Sequence, residues 1–492
     1  MEESTAFIKN RKNTKNVELE ETHNIPKKKY NFLIILLIIL FLFLLKKFFN
    51  KKNNLKDESK AINSTLFDEI LPKIIIDNRF YIPNLSQLFN SRELFINDKN
   101  ITLDYIHHIR RINQKEEQNY KEELYPNLVP DLSFIENRKN QIDLYTYYNI
   151  CNEEKLISKE KINYSNKPLI SVLIPSYNKG NMILKSIRSI QNQSLKNIEI
   201  LILDDASTDN SSSIFKNLLE TDPRVRVITH EKNMGAWRSR LDAFLYSKAP
   251  YVIHFDSGDF YTDNLVLEDA YNLITKYNLD SVRFSFKLSR LPEDIDYRSW
   301  NFTFNVNDTK IVYGRREYNM TYYAYGPIWN RLTRANIFTK GLDYLDEYIL
   351  NAYKNLYEDR WWNTIANNAS HSYLMVNRVG YIYLRTPGGA GTIKSGTNIR
   401  NEKTIKEFIY FWLFDYLLLY KGNNKKNIIY NLKKYQQKIN GPKLSSLTSY
   451  FEPYLHLLDL LINDNYVEQK DKEFVKMLKN DYEKILNKFV HK

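Results

Sequence analysis

The sequence predicts an α/β fold, and two observations carry the prediction. Between Lys167 and Asp259, short apolar runs alternate with segments whose apolar residues recur at helical spacing. Two of those runs end in acidic turns, Asp204-Asp205 and Asp256–Asp259. Open α/β sheets bind ligands there, at the carboxyl edge of the strands. The composition can support such a fold: 492 residues, 43% hydrophobic and 14% aromatic, hold a sizeable core in one large or two to three ordinary domains.

Taken in order, residues 1–29 are polar and charged and read as a disordered basic tail. Phe32–Leu45 is an unbroken apolar run, FLIILLIILFLFLL, closed by Lys46 and Lys47. Fourteen helical residues cover about 21 Å, and snorkelling lysines at both ends extend the reach. No small-residue cleavage site follows, which argues against a removed signal peptide. We therefore expect a single transmembrane anchor over 30–49. Basic residues balance closely on the two sides (Lys9, Arg11, Lys12, Lys15 and Lys27–Lys29 against Lys46, Lys47, Lys51, Lys52, Lys56 and Lys60), so orientation stays open. Asn63, Asn84 and Asn100 head glycosylation sequons, compatible with a lumenal body.

Residues 50–166 carry scattered helical patterns, Leu66–Ile76, Leu103–Ile112 and Ile135–Ile150, and read as a stem plus accessory helical layer. His107-His108 and Arg110-Arg111 read as a basic helix face, because further ligands at helical spacing are missing. Cys151 is the only cysteine, so no intrachain disulfide can form.

The alternating region begins with the strand Leu169–Ile174 and the loop Pro175–Asn178. A helix over Asn181–Gln193 places Ile183, Ile187 and Ile190 on one face. The second strand, Ile198–Leu203, leads into Asp204–Asp209, where Ser207 or Thr208 can cap a helix burying Ile214, Phe215, Leu218 and Leu219. Val225–Ile228 is a third strand. A turn at Asn233–Gly235 opens a helix carrying Leu241, Phe244 and Leu245. The fourth strand is Tyr251–Phe255, ending in Asp256-Ser257-Gly258-Asp259. Strands joined by helices imply a parallel sheet with right-handed crossovers. Were the second and fourth strands neighbours, both acidic clusters would face one crevice. Two carboxylates on a Gly-containing turn can hold a hard divalent cation against phosphate; an ordinary surface turn has the same composition.

The stretch LISVLIPSYNKGNMILKSIRSIQNQSLKNIEILILDDASTDNS resembles the opening of a family-2 glycosyltransferase with the GT-A fold. NMGAWRSRLDAF, PYVIHFDSGD, GPIWNRLTR, YEDRWW and GYIYLR follow in the family's order, so the resemblance spans about Pro168–Thr386. It implies a Rossmann-like mixed sheet, mainly parallel and flanked by helices. It also implies a nucleotide-diphospho-sugar donor (a UDP-sugar first), a glycan, protein or lipid acceptor, inverting transfer of a hexosyl or N-acetylhexosaminyl group, and Mn²⁺ or Mg²⁺. By position, Pro175, Tyr177, Asp204 and Asp205 line the nucleotide pocket, with Asp205 on the base. Arg240 sits near the pyrophosphate, where a guanidinium suits phosphate oxygens. Asp256 reaches ribose or metal, and Asp259 metal. The family usually carries a carboxylate where this chain has Gly258, so its metal site is altered or lost.

On the acceptor side, Asp280–Phe286 reads as a strand, 287–325 as a loop-rich excursion, and Trp329 as packing under the site or in the core. Glu358-Asp359 occupies the family's acidic pair; Asp359 is the implied general base and Glu358 its neighbour. The pair also suits a plain helix N-terminus. Gly380–Arg385 reads as the edge strand, followed by a Gly-rich loop with Gly388, Gly389 and Gly391. Tyr357, where processive synthases have Gln, argues against that class. Asp415 interrupts the apolar helix Thr404–Tyr420, so docking on the catalytic domain is expected rather than a second membrane span. Ile428–Ile439, Leu447–Leu461 and Glu473–Phe489 add amphipathic helices.

The expected organisation is a cytosolic tail (1–29), anchor (30–49), stem (50–166), GT-A domain (167–392) and helical extension (393–492), in a single-pass Golgi or ER membrane protein. The alternative is a GT-A-fold binding or tethering protein, with Gly258 marking lost metal ligation. The net charge of +13 suits acidic ligands. With no zinc finger, RNA-binding aromatic motif or basic repeat, nucleic acid is not the expected partner.

Overall fold

A computed structural model describes residues 91–96, 100–113, 130–133, 167–289, 301–302, 311–313, 327–355, 358–384, 402–418, 422–439 and 451–490. The expected tail, anchor, Leu66–Ile76 and Ile135–Ile150 helices, most of the 287–325 excursion, and the Gly388–Gly391 loop lie outside these residues. Among the described residues no helix is long and apolar enough to cross a membrane.

The elements in chain order are β1 (Glu93–Ile96), α1 (Leu103–Asn113), β2 (Ile170–Ser176), α2 (Met182–Gln191), β3 (Ile198–Asp204), α3 (Ser211–Thr221), β4 (Val225–His230) and α4 (Ala236–Leu245). Next come β5 (Tyr251–His254), β6 (Phe260–Tyr261), α5 (Val266–Lys276), β7 (Ser281–Ser289), β8 (Asn301–Phe302), β9 (Val312–Tyr313) and β10 (Arg331–Arg334). The rest are α6 (Ala335–Leu342), α7 (Glu347–Leu350), α8 (Glu358–Ala369), β11 (Ser372–Leu384), α9 (Glu402–Leu418), α10 (Gly422–Ile439), α11 (Phe451–Asn463) and α12 (Gln469–Val490).

One mixed sheet organises them, in the order β1-β4-β3-β2-β5-β10-β7-β11-β6, with β8 on β7 and β9 on β11. Strands β1 to β5 pair in parallel, while β10 runs antiparallel between β5 and β7. The GT-A-like mixed sheet is therefore present. Every residue of β3 is buried, which is why its sequence is continuously apolar rather than alternating. Its side chains still alternate between faces. Leu201 and Leu203 join a core with α4, α6 and α8, whereas Ile198, Ile200 and Ile202 join one with α2, α3 and α5.

Several expectations need correction. β3 and β5 are not neighbours, because β2 lies between them. The chain adds β3 and β4 on one side of β2 and β5 on the other, so β2/β5 is the switch point at which such sheets bind ligands. Neither Ser207 nor Thr208 caps α3, which starts later, after Asn210. Instead Asn178 N donates to Ser207 Oγ (2.9 Å) and Thr208 N to Asn178 Oδ1 (2.8 Å), tying two loops together at the carboxyl edge. The GYIYL segment is not an edge strand: β11 lies between β7 and β6. Arg110 is no solvated face residue either. It is buried, and its guanidinium donates to Phe244 O (3.2 Å) and Ser247 O (3.1 Å) at the end of α4, where carbonyls lack helical partners. Strand β1, from the region read as stem, extends the sheet beside β4.

Apolar stacking joins the carboxyl-terminal helices to α8. Phe414 stacks on Trp361 at 4.6 Å, and Arg360 forks onto Asp415 with two 3.0 Å hydrogen bonds. Asp415, the residue that broke the apolar pattern of α9, is thus its docking point. Helices α6 and α8 approach closely because Gly341 has no side chain: a Cβ there would sit 2.4 Å from Ile365 Cγ2 and 2.6 Å from Ile365 O. The backbone oxygen cannot rotate away. Gly341→Ala is therefore expected to destabilise the protein by about 1–3 kcal/mol through overpacking. An unchanged midpoint in urea unfolding would contradict this contact.

Candidate functional site

The expected site residues gather at the carboxyl ends of β2, β3 and β5 and at the start of α8. Pro175 closes β2, half-buried, and Tyr177 just beyond it is 45% exposed. That is the wet, aromatic surface a nucleobase can stack on.

Asp204 and Asp205 are both buried, and each is committed to the fold. Asp204 Oδ1 accepts from Ser207 N (3.0 Å). Asp205 accepts from Met234 N (2.7 Å) and Gly235 N (2.9 Å), holding the turn that starts α4. Its Oδ1 also meets His230 Nδ1 at 2.7 Å, while His230 Nε2 meets Asp242 Oδ2 at 3.0 Å. Burial opposes the imidazolium, but the two carboxylates outweigh it and push His230 up to about 9.

The centre of the site is Arg240, on α4. Nearly every residue of this helix is buried, its charged ones included, so those charges need partners. Arg240 Nη2 lies 2.5 Å from Asp256 Oδ1, 3.4 Å from Asp359 Oδ1 and 3.6 Å from Glu358 Oε1. The guanidinium is 3% exposed, whereas the carboxylates keep an open side: 30% for Asp256, 26% for Asp359 and 13% for Glu358. Arg240, expected near the pyrophosphate, thus has three acids as its partners within the chain. Burial pushes the Asp359 carboxyl well above the usual carboxylate range; Arg240 opposes the shift and Glu358 adds to it. Burial raises Glu358 as well, again against Arg240.

The Asp256–Asp259 turn is built differently from a two-carboxylate metal site. Ser186 on α2 pins it, accepting from Gly258 N (2.8 Å) and donating to Asp259 O (2.7 Å). Asp259 is 3% exposed, with both oxygens engaged: Leu384 N donates to Oδ1 (2.8 Å) and the Tyr381 hydroxyl to Oδ2 (3.0 Å). The same hydroxyl accepts from Asp256 N (3.0 Å). Gly258 has φ +121°, with nothing within 4 Å of a Cβ built on it. Asp256 alone therefore fits a divalent ion, to be completed by ligand oxygens and water. The Asp256/Asp259 pair does not, and no group of three metal-ligating side chains occurs among the described residues. Trp329 answers both of its sequence readings. It is buried, and it stacks on Tyr381 (4.1 Å) and Tyr383 (5.6 Å), directly behind that hydroxyl.

Sequence reasoning missed His230, Asp242, Ser186 and Tyr381. For Tyr381 there was a signal: Tyr381 and Tyr383 share one face of a strand by their spacing of two. Asp242 offered its i,i+4 spacing from Arg238; for Ser186 and His230 no signal existed, because Gly258, Asp259 and Asp205 are remote from them in sequence.

His230 yields a stability prediction. Its folded pKa lies above the unfolded 6.5, so its contribution is fully present below about pH 6.5 and is lost as pH rises through about 9. Wild type should lose about 2–3 kcal/mol between pH 7 and 10, and His230→Gln should lack that part of the decline. Parallel urea curves for the two proteins across this range would refute it.

Part of the chain is similar to known glycosyltransferases. The model of glycosyl transferase family 2 matches residues 171–338. Glycosyltransferase GlyG of Streptococcus pneumoniae is 35% identical over 114 residues, 23% of this chain and 38% of the relative. The Escherichia coli UDP-Glc:alpha-D-GlcNAc-diphosphoundecaprenol beta-1,3-glucosyltransferase WfgD is 32% identical over 120 residues, 24% of this chain and 46% of the relative. The matched stretch thus spans less than half of each of these relatives. Among solved structures, S. aureus TarS 1–349 aligns with a TM-score of 0.42 at 15% identity, covering 64% of this chain and 89% of that one. Over residues 171–338, a stretch that holds β2 to β10 and the acidic turn after β5, the chain matches glycosyl transferase family 2.

Proposed function

We propose that this protein transfers a sugar from a nucleotide-diphospho-sugar to an acceptor hydroxyl, with inversion and with Asp359 as general base. The observation that carries the proposal is the convergence of Asp256, from the end of β5, and Glu358-Asp359, from the start of α8, on the buried Arg240. Donor-side and acceptor-side acids are thereby held in one cluster.

In the reaction, the acceptor oxygen attacks the anomeric carbon from the face opposite the diphosphate. The new C–O bond forms as the bond to the phosphate oxygen breaks, and the acceptor proton passes to the Asp359 carboxylate. Burial prepares Asp359 for this step by raising its proton affinity. Glu358 orients the acceptor or donor, and Arg240 keeps the neighbouring acids from repelling one another apart. Tyr177 and Pro175 receive the base, while Asp205 shapes the pocket by fixing the turn at Met234-Gly235. A divalent ion held by Asp256 would neutralise charge on the leaving diphosphate. A UDP-sugar is the favoured donor, in line with the UDP-Glc in the name of the E. coli relative. The apolar run at 32–45 supports the proposal of a single membrane anchor, and Golgi or ER placement of the domain goes with it.

The alternative reading is a non-catalytic protein that keeps the same fold for binding. Asp359→Asn separates the readings. It should lower transfer by about 10²–10⁴-fold while UDP-sugar affinity stays within about twofold. Donor release would be measured with a panel of nucleotide sugars, and affinity by calorimetry. Donor binding lost along with turnover would remove Asp359 as base, and no turnover of any donor by wild type would favour the binding protein.

A further inference from the structure

We propose that His254 is a positioning residue for the acid cluster, its imidazole holding the inner edge of the Arg240 guanidinium through a buried water. The consequence for catalysis rests on the glycosyltransferase reading; the contact itself does not.

His254 ends β5, two residues before Asp256. Its ring packs against Trp362 of α8 at 4.7 Å and Phe338 of α6 at 5.7 Å. Arg240 reaches the same place from α4. Its Nη2 meets Asp256 at 2.5 Å and, at 3.4 Å, Asp359, which stands about one helical turn before Trp362. The strand end and the helix turn that flank His254 are thus the ones Arg240 contacts.

Hydrogen-bond accounting singles out this pair. Buried polar atoms nearly always have partners. His254 is fully buried, and neither of its ring nitrogens has a hydrogen-bond partner among the described residues. The same holds for Nε and Nη1 of Arg240, while Nη2 serves the three acids. An arginine can only donate, so its inner nitrogens need an acceptor. The indole Nε1 of Trp362 is itself a buried donor without a partner among the described residues. His254 can supply the acceptor. A second cation buried beside Arg240 would be costly, and burial and Arg240 together hold the imidazole well below its usual range. The ring is therefore neutral, with one nitrogen free to accept. A water between the two residues takes the arginine N–H groups on its oxygen and donates a hydrogen bond to the imidazole. The guanidinium is then held at both edges, by the acids outside and the imidazole inside, which keeps Nη2 on Asp359. For filling the core alone a phenylalanine would serve better, since it brings no polar atoms to bury.

The test uses the full chain with ¹⁵N-labelled arginine and histidine. In wild type the Arg240 Nε–H resonance, assigned by its disappearance in Arg240→Lys, should exchange slowly with solvent. The accepting nitrogen of His254 should show the shift of a hydrogen-bonded imidazole. His254→Phe keeps the ring shape and removes the acceptor. It should speed exchange of the Arg240 N–H by about 10- to 100-fold, as expected for losing a hydrogen bond to a charged group. It should also lower kcat while the donor KM stays within about twofold. His254→Gln keeps an acceptor and should recover most of both. An Arg240 resonance unchanged in His254→Phe would overturn the assignment. So would equal effects of Phe and Gln, which would show a packing role, and so would a wild-type imidazole free of any hydrogen bond, a readout that needs no variant. If the Arg240 N–H depends on His254 while no nucleotide sugar is turned over, the positioning role stands and the transferase reading falls.

Discussion

A guanidinium buried among three carboxylates is the interaction on which the site depends. Burying Arg240 alone would be prohibitive, and burying Asp256, Glu358 and Asp359 near one another without it would force protons onto them. Together they form a cluster in which one cation, inside, partly offsets three acids on the open side. In buried clusters of this kind, removing one member typically costs about 3–5 kcal/mol, because the partners stay behind. Geometry and protonation at the reacting edge therefore rest on one side chain that faces inward.

Helix α4 delivers that side chain, and the rest of the domain holds α4. Asp205 accepts from the amides at its start, His230 and Asp242 link it to β4, and Arg110 meets the carbonyls at its end. Trp237 packs between Trp361 and Trp362 at 5.0 and 5.3 Å, locking α4 to the helix that carries the acidic pair. Phe414 and Asp415 clamp that helix from outside. The carboxyl-terminal region has no chemistry of its own in view, yet it supports the orientation of α8 and hence of Glu358 and Asp359.

The opposite wall is built by exchange of roles between residue types. Asp259, a metal ligand by position, serves as an acceptor that gathers Tyr381 and Leu384. Asp256 is left facing the opening with Arg240 behind it. A turn with φ +121° at its third position suits glycine and disfavours a side chain. The absence of the usual carboxylate is thus part of how this turn is folded.

The sequence by itself determined the α/β class, the main strands and helices, and the acids Asp256, Glu358 and Asp359, because apolar periodicity and motif order are local properties of the chain. It also located Arg240, though not its partners. Only the tertiary structure decided that β2 separates β3 from β5, that Arg240 turns toward the acids, that Asp259 is tied back, and that Arg110 is buried. Each of those outcomes is set by contacts between residues far apart in sequence: Arg240 with Asp359, Asp259 with Tyr381, Arg110 with Ser247. A charged side chain looks the same in a sequence whether it faces water or another charge. The fold decides which, by fixing where compensating partners stand.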